Sequence, residues 1–233
     1  MKIAGFDKLS LLNYPDKVSA TIFTNGCNFL CPYCQNSALV LDANENELIP
    51  EEEVLSYLKE RKKLLDGVCI TGGEPTIQKD LKEFIRKVKD LGLSVKLDTN
   101  GSNPEVIKEL LDEHLIDYIA MDIKTVFSKY SEVANRKVDI DALRNSIELI
   151  KNSNIDYEFR TTVVKAFVSY EDLVFILDYL NCKKYYLQKF EDRQSNIVYH
   201  LEAFSDDELK DIYSKLKEKY DFIKIRGLRE KNV

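Results

Sequence analysis

The chain has 233 residues, 44% of them hydrophobic and 32% charged, with a net charge of −6. That length can bury a sizeable core without staples, and the acidic balance argues against a nucleic-acid partner, which would need a basic face. No apolar run approaches the ~18 residues of a membrane span, and the opening "MKIAGFDKLSLLNYPDKV" lacks the apolar core of a signal peptide. The chain is therefore expected in the cytoplasm, where thiols stay reduced, with no membrane partner.

In chain order, segment 1–17, with "NYPDK" as a turn, reads as a hairpin-like lead-in. Short β-branched or apolar runs follow at 18–23, 67–71, 93–98, 118–123, 157–164 and 184–190, and 222–227 offers a further edge strand. Between them lie amphipathic helical patterns at 51–65, 78–91, 104–113, 139–152, 169–180 and 205–219. Pro50 followed by three acids marks one helix start, and Ser205 with Glu208 forms a capping box at another. The Lys-rich stretches "LKERKKLL" and "YSKLKEKY" are solvated helix faces.

Strand alternating with helix, with no repeat and no linker, predicts one α/β domain over 1–233 built on a mostly parallel sheet. Its tail, 205–233, supplies a C-terminal helix and the edge strand. Six βα units are too few for a closed eight-stranded barrel, which leaves an open barrel or a doubly wound sheet. In either, ligands gather at the carboxyl ends of the strands. The distinctive polar residues fall there. A cysteine loop follows the first strand, "TGGEPT" (71–76) the second, "DTNG" (98–101) the third and "DIK" (122–124) the fourth, with Arg160 inside the fifth and Gln188 near the end of the sixth.

Three of the five cysteines, Cys27, Cys31 and Cys34, sit within "TNGCNFLCPYCQNS". A structural zinc takes four protein ligands and a disulfide takes two. Three thiolates on a cubane [4Fe–4S] cluster leave the fourth iron for something exogenous, whereas electron-transfer clusters are usually held by four cysteines. Cys69, mid-strand in "GVCIT", reads as a small buried hydrophobe and Cys182 as helix-end packing. His114 and His200 lie outside the strand-end loops, so neither completes a zinc site. The glycines of "GGEP" (Gly72, Gly73, Glu74, Pro75) let backbone approach a ligand closely. Asp98 and Asp122 end neighbouring strands, and carboxylates that converge need a proton or cation between them.

C-x3-C-x-aromatic-C, with Tyr33 as the aromatic, followed by "GGEP" at the end of the next strand, resembles the signature of radical S-adenosylmethionine (SAM) enzymes. "LDTNG" and "MDIK" resemble the corresponding stretches in activating enzymes of glycyl radical enzymes, and the likeness covers nearly the whole chain. The run-in "GFDKLSLLNYPDKVSATIFTNGCNFLCPYCQN" is similar to activases of anaerobic ribonucleotide reductase in their longer bacterial form, with pyruvate formate-lyase activases close behind. Where the latter carry a histidine after Pro-Phe, this chain reads "LQKFEDR" with Glu191, and Gln188 is a candidate ligand contact in its stead. The interval between Cys34 and Gly72 leaves no room for a ferredoxin-like insert.

The resemblance implies a partial (β/α)6 barrel, open on one side, and an anaerobic oxidoreductase activity. Cys27, Cys31 and Cys34 would ligate the [4Fe–4S] cluster, whose open iron SAM's amino and carboxylate groups chelate. Tyr33, Cys34, Gln35, Gly72, Gly73, Glu74, Asp98, Asp122, Ile123, Lys124, Arg160 and Gln188 would contact or position SAM, with a monovalent cation near Asp98 and Asp122. Reductive cleavage, with an electron from flavodoxin or ferredoxin, would give a 5′-deoxyadenosyl radical. That radical would take hydrogen from a glycine of a partner glycyl radical enzyme, by resemblance an anaerobic ribonucleotide reductase. Two alternatives stand beside it: a small-molecule radical SAM enzyme similar to 7-carboxy-7-deazaguanine synthases, and an iron–sulfur electron-transfer module.

Overall fold

The computed structural model describes residues 1–45 and 47–228. Its centre is one eight-stranded sheet, ordered as in the sequence: β1 Ile3–Ser10, β2 Ser19–Thr24, β3 Gly67–Gly72, β4 Ser94–Thr99, β5 Tyr118–Asp122, β6 Asp156–Val163, β7 Tyr185–Lys189 and β8 Ile223–Arg226. β1 and β2 are antiparallel, and every later pair is parallel. β1 and β8 do not pair with each other, so the mostly parallel barrel stays open on that side. The lead-in differs from the expected separate hairpin. It is a long strand that pairs with β2 itself, whereas the edge strand offered at 222–227 is present as β8 and adds a seventh parallel strand.

The helices are α1 Ser37–Leu41, α2 Glu51–Arg61, α3 Leu81–Asp90, α4 Pro104–Asp112, α5 Tyr130–Val133, α6 Ile140–Lys151, α7 Tyr170–Leu180 and α8 Asp206–Lys217. Each long helix buries one stripe. Leu81, Phe84, Ile85 and Val88 of α3 are sealed in the same core as Val95 and Leu97 of β4, and each such side chain contributes roughly 2 kcal/mol. Capping boxes open two helices, Ser169 with Asp172 on α7 and Ser205 with Glu208 on α8, the second as the sequence indicates. The pattern over 51–65 yields a helix only to Arg61, since residues 62–64 form turns and the amides of Leu64 and Leu65 both bond back to Arg61 O. No helix among the described residues is long and apolar enough to cross a membrane.

Strand alternation decides what faces the barrel interior. On β4 the outward Val95 and Leu97 pack under helices while Lys96 and Asp98 line the inside. On β6 Phe159 is in the apolar core, while Glu158, Arg160 and Thr162 line the inside. The sheet is thus apolar towards its helices and charged within.

Candidate cluster and ligand site

The loop after β2 and the turn after β3 are zipped together. Gly73 N–H donates to Thr24 O at 2.9 Å and Glu74 N–H to Gly26 O at 2.9 Å. The approach is so close that a Cβ on Gly73 would lie 1.9 Å from Gly26 O, and Gly72 has φ +112°, which L side chains rarely adopt. The sequence "GGEP" therefore exists, in this fold, to let one loop lie against the other.

Glu74 lines the cavity inside the open barrel, with its carboxylate held by the protein. Its side chain is buried, and both oxygens are taken by the protein. Oε1 accepts from Thr76 N (3.0 Å), Thr76 Oγ1 (2.5 Å) and Thr99 Oγ1 (2.8 Å), and Oε2 from Asn100 N (2.7 Å). It staples the turn after β3 to the end of β4 and so fixes the shape of this rim. Asn100, held there, gives its side-chain amide to Asn28 Oδ1 at 2.9 Å and approaches Cys27 Sγ at 4.0 Å. Neither Thr99 nor Asn100 stood out in the sequence beyond belonging to "DTNG".

A cavity of about 690 Å³ lies inside the open barrel at the carboxyl ends of the strands. Cys27, Cys31, Tyr33, Cys34, Gln35, Gly72, Gly73, Asp98, Asp122, Lys124, Arg160 and Gln188 all line it, residues of at least five separate segments brought to one rim. Ile123 is not among them. Its side chain is buried, its N–H donates to Arg160 O (2.8 Å) and its carbonyl accepts from Thr161 Oγ1 (2.6 Å), so its role is to pair β5 with β6. A larger groove of about 890 Å³ lies between α4 and α6 and holds none of these residues.

Asp98 and Asp122 do converge, and the positive charge between them is a guanidinium. Arg160 Nη2 is 3.1 Å from Asp98 Oδ2 and its Nε meets Asp122 Oδ1, while Lys124 Nζ is 3.0 Å from Asp122 Oδ2. Lys96, which the sequence reading passed over, meets Asp98 Oδ1. All four carboxylate oxygens thus have a side-chain cation, and the charge that a monovalent cation would bring is already present. Burial alone would raise both carboxyls, but Arg160 with Lys124 holds Asp122 well below the usual carboxylate range, and Arg160 with Lys96 lowers Asp98. Farther down, Glu158 takes Arg226 and Tyr118 Oη. Lys96 and Glu158 share the parity of Asp98 and Arg160, the one sequence signal that would have found them.

The donor set suits an iron–sulfur cluster. Burial pushes the Cys27 thiol up to about 12 and Cys31 up to about 11, and raises Cys34, so each holds its proton until a metal displaces it. Among the described residues, no three His, Cys, Asp or Glu side chains converge on one point, as a single ion needs. Thiols spread around a loop instead match the separate corners of a multi-iron cluster. Cys69 and Cys182 are buried outside the cavity lining. Tyr33 Oη is buried beside this loop with no hydrogen-bond partner among the described residues, an orphan that a ligand would satisfy.

Comparison with known proteins places these features. The family model described as "Radical SAM superfamily" matches residues 21–180. A protein of Methanocaldococcus jannaschii, bearing the provisional name glycyl-radical enzyme activating enzyme, is 37% identical over 97% of this chain and 96% of its own length. The 7-carboxy-7-deazaguanine synthase of Thermoplasma acidophilum is 35% identical, over 47% of this chain and 48% of that one. Among solved structures, Streptococcus suis SuiB bound to S-adenosylmethionine superposes with a TM-score of 0.71 at 16% identity, covering 87% of this chain. At that identity the likeness shows the fold alone, and the chain spans about half (48%) of SuiB's length.

Proposed function

The chain belongs to the radical SAM superfamily, and from that premise we propose that it activates a glycyl radical enzyme, with an anaerobic ribonucleotide reductase as the partner. The observation that carries the activase reading is the relative from Methanocaldococcus jannaschii, because the likeness runs through both chains almost end to end. The barrel's open side supports it, since a glycine-bearing segment of a partner needs a lateral way in. The choice of partner rests on the run-in to the cysteine loop.

In this reading Cys27, Cys31 and Cys34 would hold a [4Fe–4S] cluster, and the rim residues beside them would bind S-adenosylmethionine. When bound, these two groups supply one-electron chemistry strong enough to remove a hydrogen atom from a glycine Cα. The chain's own residues bind and orient. The N–H of Gly73 is used on Thr24 and Gly72 O accepts from Asn36 Nδ2 at 3.4 Å, so the Gly73 carbonyl is the better placed of the pair to receive an ammonium group. Lys124 and Arg160 face a carboxylate. Gln35, Gln188 and Tyr33 present uncharged polar groups to the rest of the ligand, with Gln35 also donating to Glu191 O at 3.4 Å. Asp98, Asp122 and Glu74 fix the positions of these groups. The electron comes from an external flavodoxin or ferredoxin, and reduced thiols suit a cytoplasmic setting.

The test is anaerobic: reconstitute the cluster, reduce it, add S-adenosylmethionine, and assay 5′-deoxyadenosine with and without glycine-loop peptides of candidate partners. Cleavage stimulated by one peptide, and lost in Cys31→Ala, supports the activase. Cleavage that no peptide stimulates would redirect the search to a small molecule, where the partial likeness to the deazaguanine synthase becomes relevant.

A further inference from the structure

Lys96 is a charged side chain sealed beneath the cavity, only 2% exposed. Its ammonium contacts Asp98 Oδ1, lies 3.7 Å from Cys69 Sγ, and sits over the Tyr118 ring at 5.9 Å from the centroid. An ammonium so placed has given up its water and needs a compensating reason to be there.

The chain of contacts it begins supplies the reason. Lys96, Asp98, Arg160, Asp122 and Lys124 touch in that order and alternate in sign, three cations against two anions. The neighbours do not cancel the surplus. Burial pushes the Cys69 thiol up to about 12, so it stays neutral. Glu158, the next carboxylate down the wall, is matched by Arg226 through contacts of 2.6 and 2.9 Å. Because Lys96 and Asp98 form the enclosed end, the extra charge is expressed at Arg160 and Lys124, whose side chains are 16% and 17% exposed in the cavity.

We propose that Lys96 is a positioning residue that neutralises Asp98 from behind and thereby leaves Arg160 and Lys124 with one positive charge in excess, making this end of the cavity a carboxylate site. On the radical SAM reading above, from which this inference takes its ligand, the group received there is the methionine carboxylate of S-adenosylmethionine. Without Lys96 the chain of charges is neutral, Arg160 is divided between two carboxylates, and nothing at this end favours an anion. In a partly enclosed site of low dielectric a single unbalanced charge outweighs the details of individual hydrogen bonds.

The experiment compares S-adenosylmethionine with its decarboxylated analogue by anaerobic equilibrium dialysis on the cluster-loaded protein, with iron content measured in parallel. Wild type prefers the carboxylated ligand. Lys96→Met lowers that preference about tenfold, and the double variant Lys96→Met/Asp98→Asn restores it, because Arg160 and Lys124 again face Asp122 alone. A merely structural defect would weaken both ligands alike and would not be repaired by a second substitution. Should Lys96→Met fail to load iron, Asp98→Asn and the double variant read the same quantity, the single variant showing the higher preference. The inference is overturned if Lys96→Met keeps the wild-type preference, or if the double variant has no more preference than Lys96→Met. A wild-type protein that binds neither ligand refutes the radical SAM site itself, and with it this role for Lys96.

Discussion

Arg226 on β8 reaches past β7 and gives both terminal nitrogens to Glu158 on β6, at 2.6 and 2.9 Å. Glu158 is wholly buried, and the guanidinium stacks over the Tyr186 ring, 3.4 Å from its centroid. The pair latches the free edge of the barrel from inside. Arg226→Met leaves Glu158 buried with Tyr118 as its remaining partner, a loss of about 2 kcal/mol once partial exposure of the arginine is allowed for. Arg226→Met/Glu158→Met recovers most of it. Urea unfolding of the two variants measures this directly, and equal losses in both would show that the cost does not come from a stranded Glu158 carboxylate.

Gly73→Ala places a methyl group where Gly26 O lies 1.9 Å away. The turn after β3 must then part from the cysteine loop, breaking the Gly73–Thr24 and Glu74–Gly26 bonds. Iron incorporation should fall at least about tenfold while the far-ultraviolet circular dichroism of the folded chain persists. Gly92→Ala is the control: it also has φ above zero, +83°, but nothing lies within 4 Å. That change costs about 1 kcal/mol of stability and leaves iron loading unchanged.

The five thiols divide by location. Cys31→Ala abolishes cluster assembly, whereas Cys69→Ala and Cys182→Ala retain it, at a cost of about 1 kcal/mol each in stability from the small cavities left. Because burial raises the pKa of Cys27, Cys31 and Cys34, taking up iron must displace protons. Loading at equilibrium therefore strengthens from pH 7 to pH 9, followed by iron content after desalting. Loading independent of pH would mean the thiols are already ionised.

Asp122 sets an acid limit on the apo fold. Burial would raise its pKa from 3.8, but Arg160 and Lys124 outweigh this and hold it far below. A carboxyl depressed in the folded state adds stability that is complete above its unfolded value, near 4, and is lost progressively as pH falls towards the folded value. Unfolding free energy should thus decline steeply below about pH 4, and Asp122→Asn should flatten that decline while lowering stability at pH 7. An unchanged slope in the variant would assign the acid sensitivity elsewhere.

By itself the sequence determined the local and the periodic. Cys27, Cys31, Cys34 and the "GGEP" turn are legible because their spacing spans one loop, and a loop's chemistry is written in adjacent residues. The strands and helices are legible from periods of two and of about 3.6, Asp98 and Asp122 from their place at the ends of neighbouring strands, and Arg160 from a charge inside an apolar one. What only the tertiary structure decided is who meets whom across strands. "GGEP" names Glu74, but only the fold shows that its two oxygens accept from Thr76, Thr99 and Asn100, the last two on another strand and the loop beyond it. Lys96 and Glu158 carry no motif in the sequence. Their partners, Arg160 through Asp98 and Arg226 across the barrel, come from segments more than sixty residues away. Pattern along a chain records which face a side chain takes, while the register and curvature of the sheet choose the opposite charge it finds there.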